Sequence, residues 1–369
     1  MPRPKPELYP LQKSPFWRMG RQRDLSPLLQ IGMKEIRWLA ANREQQYWRR
    51  EREIGGKQRK IVCPFGAMRR VHERLQGLLN RIMQPRYLHS PRRGRTALGN
   101  AAVHRNAAVI GKLDIRQFYP STTDEHVFRF FYHRMSMRDD VAGLLVKLCT
   151  VDGRLAFGSP LSPILCSLVH RDLFDQIEQI CLSGFLNMSL WVDDITVSGD
   201  MIPTRLIWAI KHAIHAKGLR YHKVRVTSLR HGPVITGHHV SLRGIVPANK
   251  HHIKVRDALA VLDHTSDRKL RLESIQSLIG QTNHARLIYP PEHPVRARLN
   301  RRRDWLHQER RSLEQESFKS KPNTSIPVLS PGDVSLPWAS EESSTHTRFI
   351  EQLQNDQRAL TGFAIPGER

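Results

Sequence analysis

Two adjacent carboxylates, Asp193 and Asp194, interrupt an otherwise apolar stretch, Leu190-Trp191-Val192-Asp193-Asp194-Ile195-Thr196-Val197-Ser198. The flanking runs, Leu190 to Val192 and Ile195 to Val197, are rich in β-branched and aromatic residues. They predict two strands with the acidic pair at the turn between them. Adjacent carboxylates repel each other and lose hydration on burial, so a purely structural turn favours Asn-Gly or Asp-Gly. Divalent cations remove that repulsion, and Mg2+ prefers carboxylate oxygen. An isolated Asp-Asp is ordinarily a solvated turn, but a third carboxylate changes the reading. Asp114 follows the apolar run Val109 to Leu113, broken only by Gly111 and Lys112, so it too sits on or near the end of a strand. Three carboxylates on two neighbouring strands are the minimum for two Mg2+ ions about 3.5–4 Å apart, the arrangement of in-line phosphoryl transfer.

The charge balance names the class of partner. The 369 residues carry 59 Lys+Arg against 34 Asp+Glu, a formal net charge of +25. Residues 311–369 hold 6 Lys+Arg and 8 Asp+Glu, so the whole excess belongs to residues 1–310. A surplus of that size exceeds what solubility needs and points to a polyanion. A membrane surface is the competing polyanion. However, no run of about 18 apolar residues exists, and the opening MPRPKPELYP is polar and Pro-rich, so no membrane partner is expected. Cys63, Cys149, Cys166 and Cys181 form no C-x-x-C pair and no Cys/His zinc spacing, which predicts reduced thiols in a cytoplasmic protein.

Patterning along the chain predicts an α+β domain, an antiparallel sheet under helices. Ser26-Pro27 predicts a capped helix running to about Trp48. A turn and short strand follow, ending at Pro64, then a periodic helix through Val71, Leu75, Leu79 and Met83. Further helices are expected over 124–132, 139–149, 164–180 and 204–217, and a strand pair over 224–227 and 234–236. Beyond 254 the pattern is mostly helical. Arg296 to Arg311 is an arginine-rich segment around Leu299, Trp305 and Leu306. Residues 317–344 read as a Ser/Pro-rich linker, and 345–360 as a short helix.

In order along the chain, these blocks resemble a reverse transcriptase. Lys112-Leu113-Asp114 through Phe118-Tyr119-Pro120-Ser121 is similar to the first metal-binding block. Gly158-Ser159-Pro160-Leu161-Ser162-Pro163 is similar to the loop that positions template and nucleotide. Val192-Asp193-Asp194 is similar to the Y-x-D-D block. Asn100-Ala101-Ala102-Val103-His104 matches the N-A-x-x-H pattern of retron reverse transcriptases, Ile235-Thr236-Gly237 is a variant of their V-T-G pattern, and Gly280 to Pro290 resembles their thumb.

The resemblance, which runs from about residue 25 to 310, implies a right-hand polymerase fold. Its expected parts are a basic Pro-rich arm (1–25), fingers (26–105), a palm with the aspartates (106–245), a helical thumb (246–311) and a partly disordered tail (312–369). It implies a bacterial RNA-directed DNA polymerase that binds its cognate noncoding RNA. From dNTPs the enzyme makes a small branched RNA-linked DNA (msDNA), beside a protein effector in an anti-phage unit. Asp114, Asp193 and Asp194 would be catalytic and hold two Mg2+ ions, with Mn2+ as a substitute. Arg59, Ile115, Tyr119, Phe157, Gly158 and Lys223 would contact the nucleotide, although Arg225 competes with Lys223 for the family's lysine position. Tyr119, five residues after Asp114, would exclude the sugar 2′-OH. Asn100, His104, Arg296, Arg301, Arg302 and Arg303 would bind RNA. The chain departs from the family pattern at Trp191 (usually Tyr), Phe157 (Gln), Ser167 (Asn) and His222 (Asn). The alternative is a scaffold for RNA and msDNA that restrains a toxic effector, with polymerisation secondary.

Overall fold

A computed structural model of the chain describes residues 7–53, 56, 58–242 and 244–319. They form two units, Met1–Val240 and Ser241–Arg369, each with its own core.

The first unit draws in part of the segment expected as an arm. The Tyr9 amide donates to Arg81 O (2.9 Å), the Met83 amide donates to Tyr9 O (2.8 Å), and Phe16 is fully buried. The helix expected as far as Trp48 is two short helices, α1 (Leu25–Leu29) and α2 (Met33–Ala41), followed by a strand, β1 (Tyr47–Glu53). Gln30 caps α1 in the left-handed region at φ 59°, and the Asn42 side chain donates back to Trp38 O, ending α2. Ser26 lies inside α1 and its hydroxyl donates to Ile31 O (2.7 Å) instead of capping. Tyr47 to Glu53 is extended because it pairs antiparallel, residue for residue, with β2 (Gln58–Pro64).

Next come α3 (Gly66–Leu79), β3 (Leu88–Ser90), α4 (Ala97–Ala102), β4 (Val109–Ile115), α5 (Asp124–Arg129), α6 (Asp139–Cys149), α7 (Ser162–Val169) and α8 (Arg171–Ser183). The helix expected over 164–180 breaks at His170, whose buried ring bonds to Thr122 Oγ1 (2.9 Å). The strands β5 (Asn187–Trp191) and β6 (Asp194–Gly199), α9 (Thr204–Ala216) and β7 (Tyr221–Ser228) complete a five-stranded sheet of order β3-β5-β6-β4-β7. Gly111 on β4 leaves room for the side chain of its cross-strand partner on β6, Val197. A Cβ there would stand 2.9 Å from Val197 Cγ2. Leu113, Leu190, Ile195 and Val197 share one core with Val127, Leu145, Ile164, Phe174 and Ile210 from α5 to α9, so the architecture is α+β as expected. The expected pairing of 224–227 with 234–236 does not form. β7 pairs with β4, and β8 (Val234–Ile235) pairs with β9 (His238–Ser241).

The second unit holds β10 (Gly244–Pro247), α10 (Asn249–His264), α11 (Arg268–Arg286) and α12 (Pro294–Lys319) around Leu259, Leu262, Ile275, Leu278 and Leu306. Asp267 caps α11 by accepting from the Lys269 and Leu270 amides. The linker expected from 317 begins, over 317–319, as the last turn of α12. The rest of it, and the helix expected over 345–360, lie outside the described residues. All four cysteines are buried and free. Among the described residues no helix is long and apolar enough to cross a membrane.

Candidate active site

Strand register brings the three carboxylates together. Asp114, near the end of β4, is the direct partner of Asp194, the first residue of β6. A two-residue turn, Val192-Asp193, joins β5 to β6, and the Ile115 amide donates to Asp193 O (3.1 Å). Val192 has φ 60°, as a primed hairpin turn requires at its first position. A β-branched residue held there costs about 1–3 kcal/mol. Gln117 (φ 49°) and Lys223 (φ 55°) also take the left-handed region close by in sequence to Asp114 and its partner His222. Three of the nine non-glycine residues with positive φ among the described residues therefore flank the carboxylates.

The electrostatics follow from that crowding. Burial and the charges of Asp114 and Asp194 raise the Asp193 carboxyl to about 7, and Arg59 opposes the rise. Burial also raises Asp194, while Lys112 and Lys223 oppose it. The contact that sequence reasoning missed is His222 Nδ1 with Asp114 Oδ2, 3.7 Å apart on paired strands. Lys112 was equally missed, although it lies two residues before Asp114 on the same face of β4. Lys223 sits at the irregularity of the β4–β7 ladder, whereas Arg225 pairs with Lys112. Of Lys223 and Arg225, Lys223 is the one that joins Lys112 in acting on Asp194.

Among the described residues no three His, Cys, Asp or Glu side chains stand as a ready-made metal cluster. The fit to a divalent cation lies in donor chemistry, three hard carboxylates whose repulsion a cation relieves.

Of the nucleotide-side candidates, Arg59, Tyr119, Phe157 and Gly158 lie together, whereas the expected contact from Ile115 needs correction: its side chain is 1% exposed and its amide is taken by Asp193 O. The Tyr119 ring stands 6.2 Å from the Phe157 ring, and the Arg59 guanidinium lies 5.3 Å over Phe157. Burial raises the Tyr119 hydroxyl above its usual range, with smaller contributions from Cys166 and Asp193. Gly158, at φ 127°, lies so close to β2 that a Cβ would sit 2.7 Å from Cys63 Sγ. The following residue is held from behind. His72 Nδ1 bonds to Ser159 Oγ (2.6 Å), while His72 Nε2 faces Leu148 O (2.7 Å) and Tyr47 OH (3.0 Å).

The RNA-binding assignments need correction. Asn100 and His104 are 1% and 0% exposed, so neither reaches a nucleic acid directly. His104 instead bridges the β5–β6 hairpin, Nε2 to Ser189 Oγ on β5 and Nδ1 to Ser198 Oγ on β6, both 2.7 Å. The helix that carries Asn100 is itself tied down, for Thr236 Oγ1 donates to Ala97 O (2.8 Å). On α12, Arg296 donates to Arg286 O and Tyr289 O and Arg303 pairs with Asp304. Arg302 lines a cavity with His251, His252 and Tyr289, where burial lowers its guanidinium to about 10. Only Arg301 of the four is fully surface-facing.

Comparison with known proteins bears on the family. No protein-family model matches the chain. The Retron Se72 reverse transcriptase of Salmonella heidelberg is 25% identical over 256 residues, 67% of this chain and 59% of that protein. The Retron Ec86 reverse transcriptase of Escherichia coli is 26% identical over 185 residues, 49% of this chain and 57% of that protein. The chain is similar to the retron reverse transcriptases. The Retron Mx162 reverse transcriptase of Myxococcus xanthus adds 24% identity over 245 residues. This chain thus covers under two thirds of the length of each retron reverse transcriptase it resembles here. Among solved structures, a foamy viral protease-reverse transcriptase in complex with double-stranded DNA aligns at TM-score 0.40 and 15% identity, covering 100% of this chain and 52% of that one.

Proposed function

We propose that the chain is an RNA-directed DNA polymerase that copies part of its cognate structured RNA into a small branched RNA-linked DNA. The observation that carries this reading is the set of three carboxylates on one sheet edge, in a chain similar to retron reverse transcriptases. On this reading the fingers span 26–105, the palm 106–245 and the thumb 246–311. Asp114, Asp193 and Asp194 would hold two Mg2+ ions, which would supply charge neutralisation at the transferred phosphate and a more acidic primer hydroxyl. A primer oxygen forms a bond to the α-phosphorus of a dNTP, the bond to the β-phosphate breaks, and pyrophosphate leaves. Arg59 and Lys223 offer cations to the triphosphate. His104 holds the hairpin that presents Asp193. A cytoplasmic setting, an effector partner and an anti-phage role complete the proposal.

Sequencing the nucleic acid that co-purifies with the protein tests it. A branched RNA–DNA species is expected, and random cellular RNA would overturn the retron assignment. RNA binding without any primer extension would favour the scaffold alternative.

Tyr119 carries a second expectation. Its ring is positioned beside Phe157 and close enough to feel Asp193. Tyr119→Val opens room for a 2′-OH, so the ratio of ribonucleotide to deoxyribonucleotide incorporation should rise about tenfold or more, a difference of ~1.4 kcal/mol. An unchanged ratio in competitive primer extension would reduce the ring to a core aromatic.

A further inference from the structure

Phe157 stands where the resembled family usually carries glutamine, and the side chains around it explain what the ring does. In the β1–β2 hairpin, Trp48, Arg50 and Arg52 lie directly opposite Cys63, Ile61 and Arg59, so these six side chains share one face. That face turns toward the loop around residue 158. Cys63 Sγ donates to Gly158 O (3.1 Å), and a Cβ on Gly158 would stand 2.8 Å from Ile61 Cγ2. The other face carries counter-charges, with Glu51 opposite Lys60 and Arg49 tied to Asp152 (3.0 Å) and Glu44 (3.3 Å). On the loop-facing side Arg59 meets Arg52, and like charges directly opposite repel. Arg59 is thus pushed away from its own hairpin and needs a holder.

The aromatic face 5.3 Å away is that holder. The Phe157 backbone is fixed, since its carbonyl accepts from the Val62 amide (2.8 Å), and its ring leans on Tyr119 at 6.2 Å and 37°. We propose that Phe157 is a positioning residue, whose ring, set between Tyr119 and Arg59, holds the Arg59 guanidinium over the carboxylate edge to meet a nucleoside triphosphate. The proposal rests on the polymerase reading given above. It turns the missing glutamine from a lost hydrogen bond into a changed kind of contact. β2 and the loop are joined through Val62, Cys63 and Gly158, so ring and guanidinium are carried on one framework.

The test is a double-mutant cycle on the full chain. Phe157→Leu keeps apolar bulk but removes the π face, so KM for dTTP should rise about tenfold with kcat within about threefold. Phe157→Tyr keeps the ring and should restore KM to within about threefold of wild type. Arg59→Gln should raise KM at least as much, and adding Phe157→Leu to it should cost less than about twofold more. Independent, multiplicative losses would overturn the proposal, as would a fall in kcat at unchanged KM. Equilibrium binding of dTTP in Ca2+, repeated for the four proteins, separates the two levels. A wild type that binds dTTP but extends no primer defeats the polymerase reading, while the cycle in binding still decides the role of Phe157. A wild type that does neither overturns both.

Discussion

Asp193→Asn and Asp194→Asn should each reduce DNA synthesis roughly a thousandfold, the scale of losing several kcal/mol of transition-state charge stabilisation. RNA binding should survive, because no basic residue changes. The same substitutions should raise thermal stability in the absence of divalent cations. Asp193 is held against burial and two neighbouring carboxylates, so a neutral amide removes a repulsion that the folded chain otherwise sustains. Mg2+ should raise the melting temperature of the wild type and much less that of either variant. Primer extension and thermal unfolding with and without Mg2+ read both effects. A variant that extends primers at wild-type rate ends the metal assignment. One that melts lower than wild type without metal shows that the carboxylates do not repel as their placement implies.

Lowering the pH from 6.5 to 5 should destabilise the protein by roughly 4 kcal/mol, a large share of a typical domain's stability. Burial lowers four histidines furthest: His72 and His89 to about 4, and His104 and His170 to about 3. Their folded values lie below the unfolded value near 6.5, so the unfolded chain binds the extra protons in that window. Stability from these rings is present above pH 6.5 and lost as the pH falls. The unfolded ring is half-protonated at pH 6.5, so each contributes about 1.6 kcal/mol down to pH 5, roughly 6 kcal/mol for the four. Asp193 has the opposite sign. Its folded value of about 7 lies above the unfolded one, so it returns roughly 2 kcal/mol over the same range. The urea midpoint measured from pH 7.5 to 5 reads the net slope. His104→Asn should flatten it by about a quarter of the histidine contribution, and a midpoint independent of pH would mean the rings are charged inside the fold.

Much of the site was legible because its signals are local. Asp193-Asp194 between two β-rich runs predicts a hairpin, and Asp114 closing an apolar run predicts the neighbouring strand. The β4–β6 register then places Asp114 opposite Asp194. What escaped was whatever depended on a distant partner. Trp48 to Glu53 has no apolar alternation, and only pairing with β2 makes it a strand. Residues 224–227 read as half of a local hairpin, but the partner that wins is β4, more than a hundred positions earlier. The arginines of α12 carried a readable signal that was passed over. Leu299, Arg302 and Leu306 fall on one helical stripe, which turns Arg302 inward while Arg301 faces solvent. His104 was read by motif, and a motif does not say whether its histidine faces a ligand or the core.

The crossbar formed by that histidine has a consequence for genetics. Ser189 and Ser198 sit on the two arms of the hairpin, and one ring spans both. Losing the ring loosens the arms that carry Asp193, so a library scored by DNA yield would rank His104 beside the aspartates. Such a map would draw a false footprint of the bound RNA, because one of its strongest positions never meets nucleic acid. Separating the two kinds of defect requires scoring occupancy and product in the same cells, since yield alone merges a broken grip with a slack frame.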